Sequence, residues 1–363
     1  MMFRKEIRFP DKRNHHGKAV IEKIMIKEVP MAGYHSFYKD IPALTLESDQ
    51  LAAIFLPEIG SKMASLTDKT SAHEYLWQEP TLGCSRPEYG TPFDAWDMYG
   101  FDEMFPTISA CYYHKKPWQG TGLPDHGEVW SLPWEYELQD RKIHFWVSGI
   151  RLPYRLDKWV YFTAPHILRF EYQVTNHTSF EQDFIWAAHP LLNMVPGMRI
   201  LLPPEVKRVV NVLNGGKRLG GYQQLHSWPK TVTPDGMEYR IDTIYPRSSL
   251  FEKYYVQDPL REGWAALYQP RTREVIALSF PVKEVPYLGI WINEGGFANQ
   301  YNTALEPCTG VFDRVDLAAL HEKVGIMKAK SQCRWYLNIT VQKIRDGNGW
   351  ENLHVQEDGR ITF

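Results

Sequence analysis

The sequence WVYFTAPHILRFEYQVTNHT, at residues 159–178, alternates apolar with polar side chains and is rich in Val, Ile, Tyr and Phe. A period of two with this composition is typical of β-strands that bury one face. The closing TNHT (175–178) predicts the end of a strand that turns into the next one. The stretch therefore predicts β-structure.

Runs of the same kind continue along the chain on both sides of this stretch. Gly, Pro and Asn separate them, and PRTRE (270–274) predicts a hairpin turn inside one of them. The further runs are LAAIFLPEIG (51–60), KIHFWVSGIRL (142–152), GWAALYQPRTREVIALSFP (263–281), YLGIWINEGG (287–296) and CRWYLNITVQKI (333–344).

Helical pattern is sparse. Apolar residues lie near helical spacing in VDLAALHEKVGIMKAK (315–330), which predicts one short helix with Asp313 as its candidate N-cap. Helices and strands do not alternate regularly, which disfavours a parallel βαβ fold. We therefore predict an all-β fold with few short helices, namely a large antiparallel two-sheet β-sandwich (a supersandwich).

The domain organisation expected is a single unit over residues 1–363, because all-β folds often exceed 200 residues as one domain. Its core is expected from about residue 20 to residue 344, with a peripheral tail or late hairpin at 345–363. The Pro- and Gly-rich stretch 80–124 is the longest candidate functional loop.

The composition excludes several classes of protein. A net charge of −2 over 363 residues offers no basic surface for nucleic acid. The four cysteines form no CxxC pair, so we expect reduced, mostly buried thiols rather than a zinc knuckle or a disulfide scaffold. The N-terminus lacks an apolar stretch of signal-peptide length, and the chain has no run of 18 apolar residues. We therefore expect a soluble, cytoplasmic protein with no membrane or nucleic-acid partner, whose oligomeric state stays open.

Three polar residues lie within largely apolar sequence segments. They are His126 in LPDHGEVWSLPW (123–134), His189 in WAAHPLLNM (186–194) and Glu306 in ALEPCTG (304–310). Burial makes a carboxylate more basic, and imidazole titrates near neutrality. Asp125 and Glu128 are candidates to orient the His126 ring.

A carboxylate with two imidazoles suits the interconversion of sugar anomers. That reaction removes a proton from the C1 hydroxyl and gives one to the ring oxygen, and the opened ring then closes on the other face. General acid–base catalysis of this kind typically supplies about 10²–10⁴-fold. It requires no metal or organic cofactor, and we expect none.

Each of the three residues also has an ordinary structural interpretation. His126, next to a glycine, would then be a turn residue, and His189 a hydrogen-bonded histidine of the core. Glu306 would cap a loop or pair with Arg314 or Lys328.

The same phrases resemble those of a known family. HPLLNM (189–194) is similar to the His-Pro-x-x-Asn segment of galactose mutarotase-like proteins, LPDHGEVWSLPW to their Leu-Pro-x-His-Gly segment, and LEPCTG to their Leu/Ile-Glu-Pro segment. IFLPEIGSKMASLTDKTSAHEYLW (54–77) resembles the early hairpin of the family, and the order of the phrases also agrees. The resemblance implies a two-sheet sandwich with its site in a cleft on one face.

The resemblance also implies an activity and roles for the three residues. The activity is that of an aldose 1-epimerase (mutarotase) acting on a small carbohydrate. Glu306 would be the general base, His189 the general acid at the ring oxygen, and His126 its partner.

Five further residues are candidates to bind the sugar: Asp102, Glu103, Trp130, Trp291 and Asn293. The two acids lie in GFDEMFPTI (100–108), where the family usually has Arg or Asn; otherwise they form a solvated loop edge. The two Trp residues flank site segments and could stack on the sugar or belong to the core. Asn293 binds a hydroxyl or shapes a turn.

The chain shows no clear counterpart of the family's mid-chain sugar-binding Asp. Asp242 and Asp258 are unranked candidates for that position. The hydroxyl pattern that the chain recognises can therefore differ from that of galactose or glucose.

Other functions stay open at this point. A carbohydrate-binding protein without catalysis can use the same fold. A glycosidase or lyase would need two carboxyl groups, for which Glu306 with Asp102 or Glu103 are candidates. A metal-dependent cupin-type isomerase is disfavoured, because no close His-x-His pair with a downstream Glu and His occurs.

Overall fold

Two large antiparallel sheets dominate the structure, a computed structural model that describes residues 32–79, 85–96, 98–213, 218–344 and 349–363. Within these residues one sheet has 11 strands and the other has eight, and four small sheets have two strands each. The only α-helix described is α1 (Val315–Leu320), and short 3-10 turns lie at Phe93–Ala95, Val129–Ser131 and Trp350–Asn352.

The strands are numbered in chain order. The first eleven are β1 (Ala32–Tyr38), β2 (Ile41–Glu47), β3 (Leu51–Leu56), β4 (Lys62–Asp68), β5 (Phe101–Met104), β6 (Cys111–Tyr112), β7 (Gly122–Leu123), β8 (Glu135–Gln139), β9 (Lys142–Ser148), β10 (Tyr154–Ala164) and β11 (Ile167–Asn176). The next eight are β12 (Gln182–Phe184), β13 (Ala187–Asn193), β14 (Arg199–Leu201), β15 (Arg208–Asn211), β16 (Leu225–Ser227), β17 (Lys230–Val232), β18 (Glu238–Arg240) and β19 (Phe251–Val256). The last eight are β20 (Trp264–Gln269), β21 (Glu274–Ser279), β22 (Tyr287–Glu294), β23 (Tyr301–Cys308), β24 (Gly325–Met327), β25 (Gln332–Lys343), β26 (His354–Val355) and β27 (Ile361–Thr362).

The strand order differs from the chain order at the centre of the larger sheet. This sheet, called sheet A below, runs β1-β2-β3-β4-β5-β13-β23-β22-β19-β15-β16, and sheet B runs β14-β20-β21-β25-β11-β10-β9-β8. The neighbours β5, β13 and β23 come from distant parts of the chain, as do the neighbours β22 and β19. Residues far apart in sequence therefore meet at the centre of sheet A.

The main core lies between the two sheets. Aromatic rings of sheet A pack against rings of sheet B, with centroid distances of 5.7 Å for Phe55–Phe145 and 5.4 Å for Phe101–Phe170. Along β11 buried residues alternate with half-buried ones, as expected when one face is removed from water. The predicted all-β sandwich is confirmed.

The stretch 159–178 forms most of a hairpin. Its first part belongs to β10 and its second part is β11, with Val160 opposite Phe170 and a turn at residues 165–166. The hairpin turn predicted for 270–274 is also confirmed, because β20 and β21 flank it and Gln269 lies opposite Glu274.

The helix is shorter than the apolar pattern of 315–330, and the N-cap prediction was wrong. Arg314 takes the N-cap position without a side-chain hydrogen bond. The helix stops at Leu320, and Glu322 has a φ of +57°, which is incompatible with a continuing helix. Residues 325–327 instead pair with β12.

The C-terminal residues form the small hairpin β26–β27. Leu353 and Val355 pack on Trp264, Ala266 and Tyr268 in a cluster separate from the main core. No helix in the described ranges is long and apolar enough to cross a membrane. The predicted core before residue 32 lies outside the described residues.

The cysteines that the structure describes are free thiols. Cys111 and Cys308 are buried and Cys333 is half-buried. The prediction of reduced, mostly buried cysteines is confirmed for these three, and Cys84 lies outside the described residues.

Candidate active site

The centre of sheet A places polar side chains on the face turned away from sheet B. Asp102 of β5 lies opposite His189 of β13, and Glu306 of β23 lies opposite Gly289 of β22. Because successive side chains of a strand point to opposite faces, register decides which residues share this surface.

The structure brings together the three residues proposed for acid–base chemistry. His189 Nε2 lies 4.0 Å from Glu306 Oε1, and the ring centroids of His126 and His189 are 5.3 Å apart. His189 is 7% exposed and Glu306 is 1% exposed. A carboxylate and two imidazoles thus share one largely dehydrated site, a setting in which proton transfer does not compete with bulk water.

His126 reaches the site from a tight loop rather than from a strand. Its φ is +57° and that of Gly127 is +73°. A Cβ on Gly127 would lie 2.1 Å from the Phe105 carbonyl oxygen, so only glycine fits there. His126 Nδ1 lies 3.1 Å from Asp125 Oδ2, so Asp125 is the candidate acid that lies beside the ring.

Glu128, the other candidate to orient His126, is used elsewhere. It is fully buried and accepts hydrogen bonds from the Tyr89 and Tyr154 hydroxyls and from the Ile150 and Arg151 amides. These hydrogen bonds connect the loop that carries His126 to Tyr89, Tyr154 and the backbone at residues 150–151.

Phe93 is a site residue that the sequence did not reveal. Its ring stacks on His126 at 4.0 Å with an interplanar angle of 9°, and it lies 5.3 Å from the His189 ring. Its amide donates to Asp125 Oδ2 at 3.0 Å. Phe93 lies within the predicted loop region 80–124, but nothing local distinguishes it from other aromatic residues there.

Burial and charge hold His189 neutral. Burial lowers its pKa well below the ordinary value, and the cationic charges of His126, Lys253 and Lys62 lower it further. Two imidazolium ions this close together would repel each other, so a charge on one ring disfavours a charge on the other.

Burial and a neighbouring lysine act in opposite directions on the pKa of Glu306, which is raised overall. Burial raises the pKa of its carboxyl group, and the charge of Lys253 opposes that rise. Lys253 Nζ lies 3.1 Å from Glu306 Oε2 and 3.1 Å from Asp313 Oδ1, and the Tyr255 hydroxyl donates to Asp313 Oδ1 at 2.5 Å. The partner of Glu306 is thus Lys253.

No sequence motif indicates this network. Lys253 lies in the strand sequence FEKYYV, and only the position of β19 next to β22 brings it to Glu306. Arg314 and Lys328, the partners considered for Glu306, instead bind Asp316 and Glu181.

Asp102 lies at the site, whereas Glu103 does not. Asp102 is buried and paired with Lys62, which also donates to the Tyr99 carbonyl oxygen at 2.8 Å. Asp102 Oδ1 and His189 Nδ1 are buried without a hydrogen-bond partner in the described structure. Buried polar atoms are normally hydrogen-bonded, so these two have capacity for a ligand's hydroxyl groups.

Glu103 corrects the prediction that both acids contact the sugar. One residue further along the strand, it points into the interior between the sheets. There it accepts hydrogen bonds from Tyr172 at 2.8 Å and Trp186 at 2.9 Å, and it pairs with Lys158 at 3.3 Å.

Trp130 and Asn293 are structural. Trp130 is 2% exposed and donates its Nε1–H to the Asp125 carbonyl oxygen at 3.0 Å, which braces the His126 loop. Asn293 is buried, accepts from the Gly295 and Phe297 amides and donates to the Phe297 carbonyl oxygen, so it shapes a turn. Neither side chain has surface left for a sugar.

Trp291 is half-buried on the site face, two residues from the position opposite Glu306. It packs between Phe251 and Phe297, with centroid distances of 5.5 and 5.6 Å, and its Nε1–H donates to Asn302 at 3.2 Å. Its remaining exposed edge keeps it a candidate wall of the sugar site.

The candidate mid-chain acids are elsewhere. Asp242 is held by Arg199 and Arg240, and Asp258 is exposed. The residue that faces Glu306 from β19 is the cation Lys253 rather than a carboxylate. Within the described ranges, no group of three or more His, Cys, Asp or Glu residues is arranged to hold a metal ion.

Comparison with known proteins shows the fold. No protein-family model matches the sequence, and a search of curated proteins finds no match either. Solved structures do match. The Slr1438 protein of Synechocystis sp. PCC 6803 has 16% identity and a TM-score of 0.61 over 94% of this chain and 100% of its own.

Two further matches have informative names. A galactose mutarotase related enzyme from Lactobacillus acidophilus has 15% identity and a TM-score of 0.60, covering 84% of this chain and 98% of its own. A galactose mutarotase-like protein from Lactobacillus casei has 17% identity and a TM-score of 0.60, covering 83% and 100%. The chain therefore has the fold of galactose mutarotase-like structures.

Proposed function

We propose that this chain is an isomerase of the aldose 1-epimerase type, which interconverts the anomers of an aldose through ring opening. The observation that carries the proposal is the meeting of Glu306, His189 and His126 on one face of sheet A. The fold shared with galactose mutarotase-like structures supports it.

Glu306 is the base of the proposed reaction. It removes the proton of the C1 hydroxyl, and its burial favours this role because a desolvated carboxylate is more basic. On ring closure the protonated Glu306 returns a proton to the aldehyde oxygen. One carboxyl group thus serves both halves of the reaction.

The histidine pair supplies the proton that the ring oxygen needs. Burial keeps His189 neutral, and Asp125 lies beside the other ring, that of His126. Burial raises the pKa of Asp125, but the hydrogen bond and charge of His126 outweigh this and lower it overall. Asp125 is therefore ionised, and its charge favours the protonated form of the neighbouring imidazole. In this proposal His189 is the acid at the ring oxygen and His126 is its partner.

The glycosidase alternative loses one of its candidate carboxyl groups. Glu103 lies in the interior between the sheets, and Asp102 is paired with Lys62. A pair of free carboxyl groups flanking a glycosidic bond is not formed by these residues.

The activity is tested by following optical rotation after a fresh single anomer is dissolved. We expect the protein to speed the decay for at least one member of a panel of aldoses and sugar phosphates. Glu306→Gln should lower the rate by roughly 10²-fold or more, because the amide cannot accept the proton. The circular-dichroism spectrum should be unchanged.

A matched control uses a glutamate on the other sheet. Glu171→Gln changes a side chain on the outer face of sheet B and should leave the rate unchanged. Decay at the uncatalysed rate with every sugar would refute the proposal. Sugar binding without turnover would favour the non-catalytic alternative.

A further inference from the structure

Lys253 lies between two carboxyl groups at equal distance. Its Nζ is 3.1 Å from Glu306 and 3.1 Å from Asp313, and the side chain is about one-tenth exposed. A buried ammonium and two carboxylates would each be costly alone, so they stabilise one another only as a set. The set carries one net negative charge when all three groups are ionised.

The other groups around Glu306 add little compensating charge. His189 of β13 is neutral at 4.0 Å, Gly289 of β22 has no side chain, and Tyr255 of β19 uses its hydroxyl on Asp313. His126, on the opposite loop, lowers the pKa of Glu306 only in its protonated form and less than Lys253 does. Lys253 is therefore the close cation that favours the ionised form of Glu306 against the effect of burial.

Asp313 limits the effect of the lysine. A lysine bound only to Glu306 would hold that carboxylate strongly ionised, and a strongly stabilised carboxylate is a poor base. Because Lys253 divides its charge between two acids, and Asp313 itself raises the pKa of Glu306, the lysine opposes the effect of burial only in part.

We propose that Lys253 and Asp313 are positioning residues that set the basicity of Glu306, the lysine keeping it ionised and the aspartate keeping it reactive. This rests on the proposed function for its catalytic consequence. The arrangement itself is a property of the three side chains.

The experiment measures kcat/KM against pH for variants of the full chain. The acid limb of that profile reports ionisation of the base in the free enzyme. Lys253→Met removes the cation and should move the limb upward by roughly 1–3 pH units, the effect of one opposite charge at close range. Lys253→Arg should largely restore the wild-type limb.

Asp313→Asn should act in the opposite direction. It removes the like charge near Glu306 and leaves the lysine to Glu306 alone, so the acid limb should move to lower pH. The plateau rate should fall because the base is weaker. Two substitutions in one network that shift the profile in opposite directions cannot result from a general loss of packing.

Arg218→Met provides a matched control. Arg218 is also a largely buried cation between two carboxyl groups, Glu252 and Glu294, at the opposite face of β19 and β22. Its loss should lower stability without moving the acid limb. A limb that moves equally in Arg218→Met and Lys253→Met, or that stays in place in both Lys253→Met and Asp313→Asn, overturns the proposal.

A second measurement does not need turnover. The carboxyl ¹³C resonance of Glu306, assigned by its loss in Glu306→Gln, reports ionisation directly. It should titrate at higher pH in Lys253→Met and at lower pH in Asp313→Asn than in the wild type. If wild type turns over no sugar, the proposed function fails, while these titrations still decide whether Lys253 and Asp313 control Glu306.

Discussion

At the scale of single residues, Glu306 depends on the absence of a side chain opposite it. Gly289 lies across from Glu306 in β22, and a Cβ at that position would be 3.2 Å from Glu306 Oε2 and 3.1 Å from the Tyr255 ring. Glu306 and Tyr255 both belong to the site, because the Tyr255 hydroxyl donates a hydrogen bond to Asp313. The glycine therefore keeps space for the carboxylate and its network.

Gly289→Ala should reduce kcat/KM by roughly tenfold to a hundredfold, because displacing a reacting group by a fraction of an ångström is costly. Stability should change little, since the added methyl group is small. Gly221→Ala is the control, because a Cβ there meets nothing within 4 Å. Full activity in Gly289→Ala would show that Glu306 does not need its present position.

At the scale of structural elements, the loop that carries His126 is built around two consecutive left-handed residues. His126 donates its backbone N–H to the Ile108 carbonyl oxygen at 2.5 Å, and Glu128 donates its own to Phe105 at 2.7 Å. The Trp130 and Phe93 side chains close around this loop. The position of the His126 imidazole is thus set by backbone geometry.

Gly127→Ala should destabilise the fold by about 1–3 kcal/mol and displace His126, because it combines a strained φ with a clash against Phe105. Urea unfolding and the anomer-exchange assay measure the two effects. Gly120→Ala has a similarly positive φ of +87° but open space around its Cβ. It should lose some stability and keep its activity, and equal loss of activity in both variants would contradict this account of the loop.

The types of the secondary-structure elements were largely predictable from the local pattern of apolar residues. The residues at which the elements end were less predictable. Alternation in 159–178 identifies strands because half-buried strands obey a period of two. The pattern of 315–330 overstated the helix, since residues 325–327 are recruited by β12. That pairing is a long-range contact, which local spacing cannot report.

At the scale of the whole molecule, a second buried charge cluster lies behind the site. Arg218 binds Glu294, with its Nη1 3.1 Å from Oε1, and lies 3.8 Å from Glu252. Burial raises the pKa of Glu252 to about 7 from its ordinary 4.5. Folding therefore takes up a proton at this group between those pH values.

The protonation of Glu252 is coupled to folding, so the free energy of unfolding depends on pH. A carboxyl group with a raised pKa in the folded state favours folding at low pH and loses that contribution as pH rises through about 7. Its effect should be at most about 3 kcal/mol. Glu252→Gln should therefore flatten the dependence of unfolding free energy on pH between 5 and 8.

Urea unfolding at several pH values measures this dependence. Glu357→Gln, a change at an exposed glutamate, serves as the comparison and should leave the slope as in the wild type. An unchanged slope in Glu252→Gln would place the titrating group elsewhere.

The fold class and the three segments that carry His126, His189 and Glu306 could be identified from sequence pattern alone. Strand periodicity is local, and a polar residue inside an apolar phrase is visible without coordinates. The neighbours of these residues depend on how the strands pair in the folded chain. The register between β5 and β13 separates Asp102 at the site from Glu103 in the interior, and the adjacency of β19 and β22 brings Lys253 to Glu306. The register and the adjacency both depend on pairing between segments that are distant in sequence. That pairing is set by burial over the whole molecule, so the local sequence does not predict it.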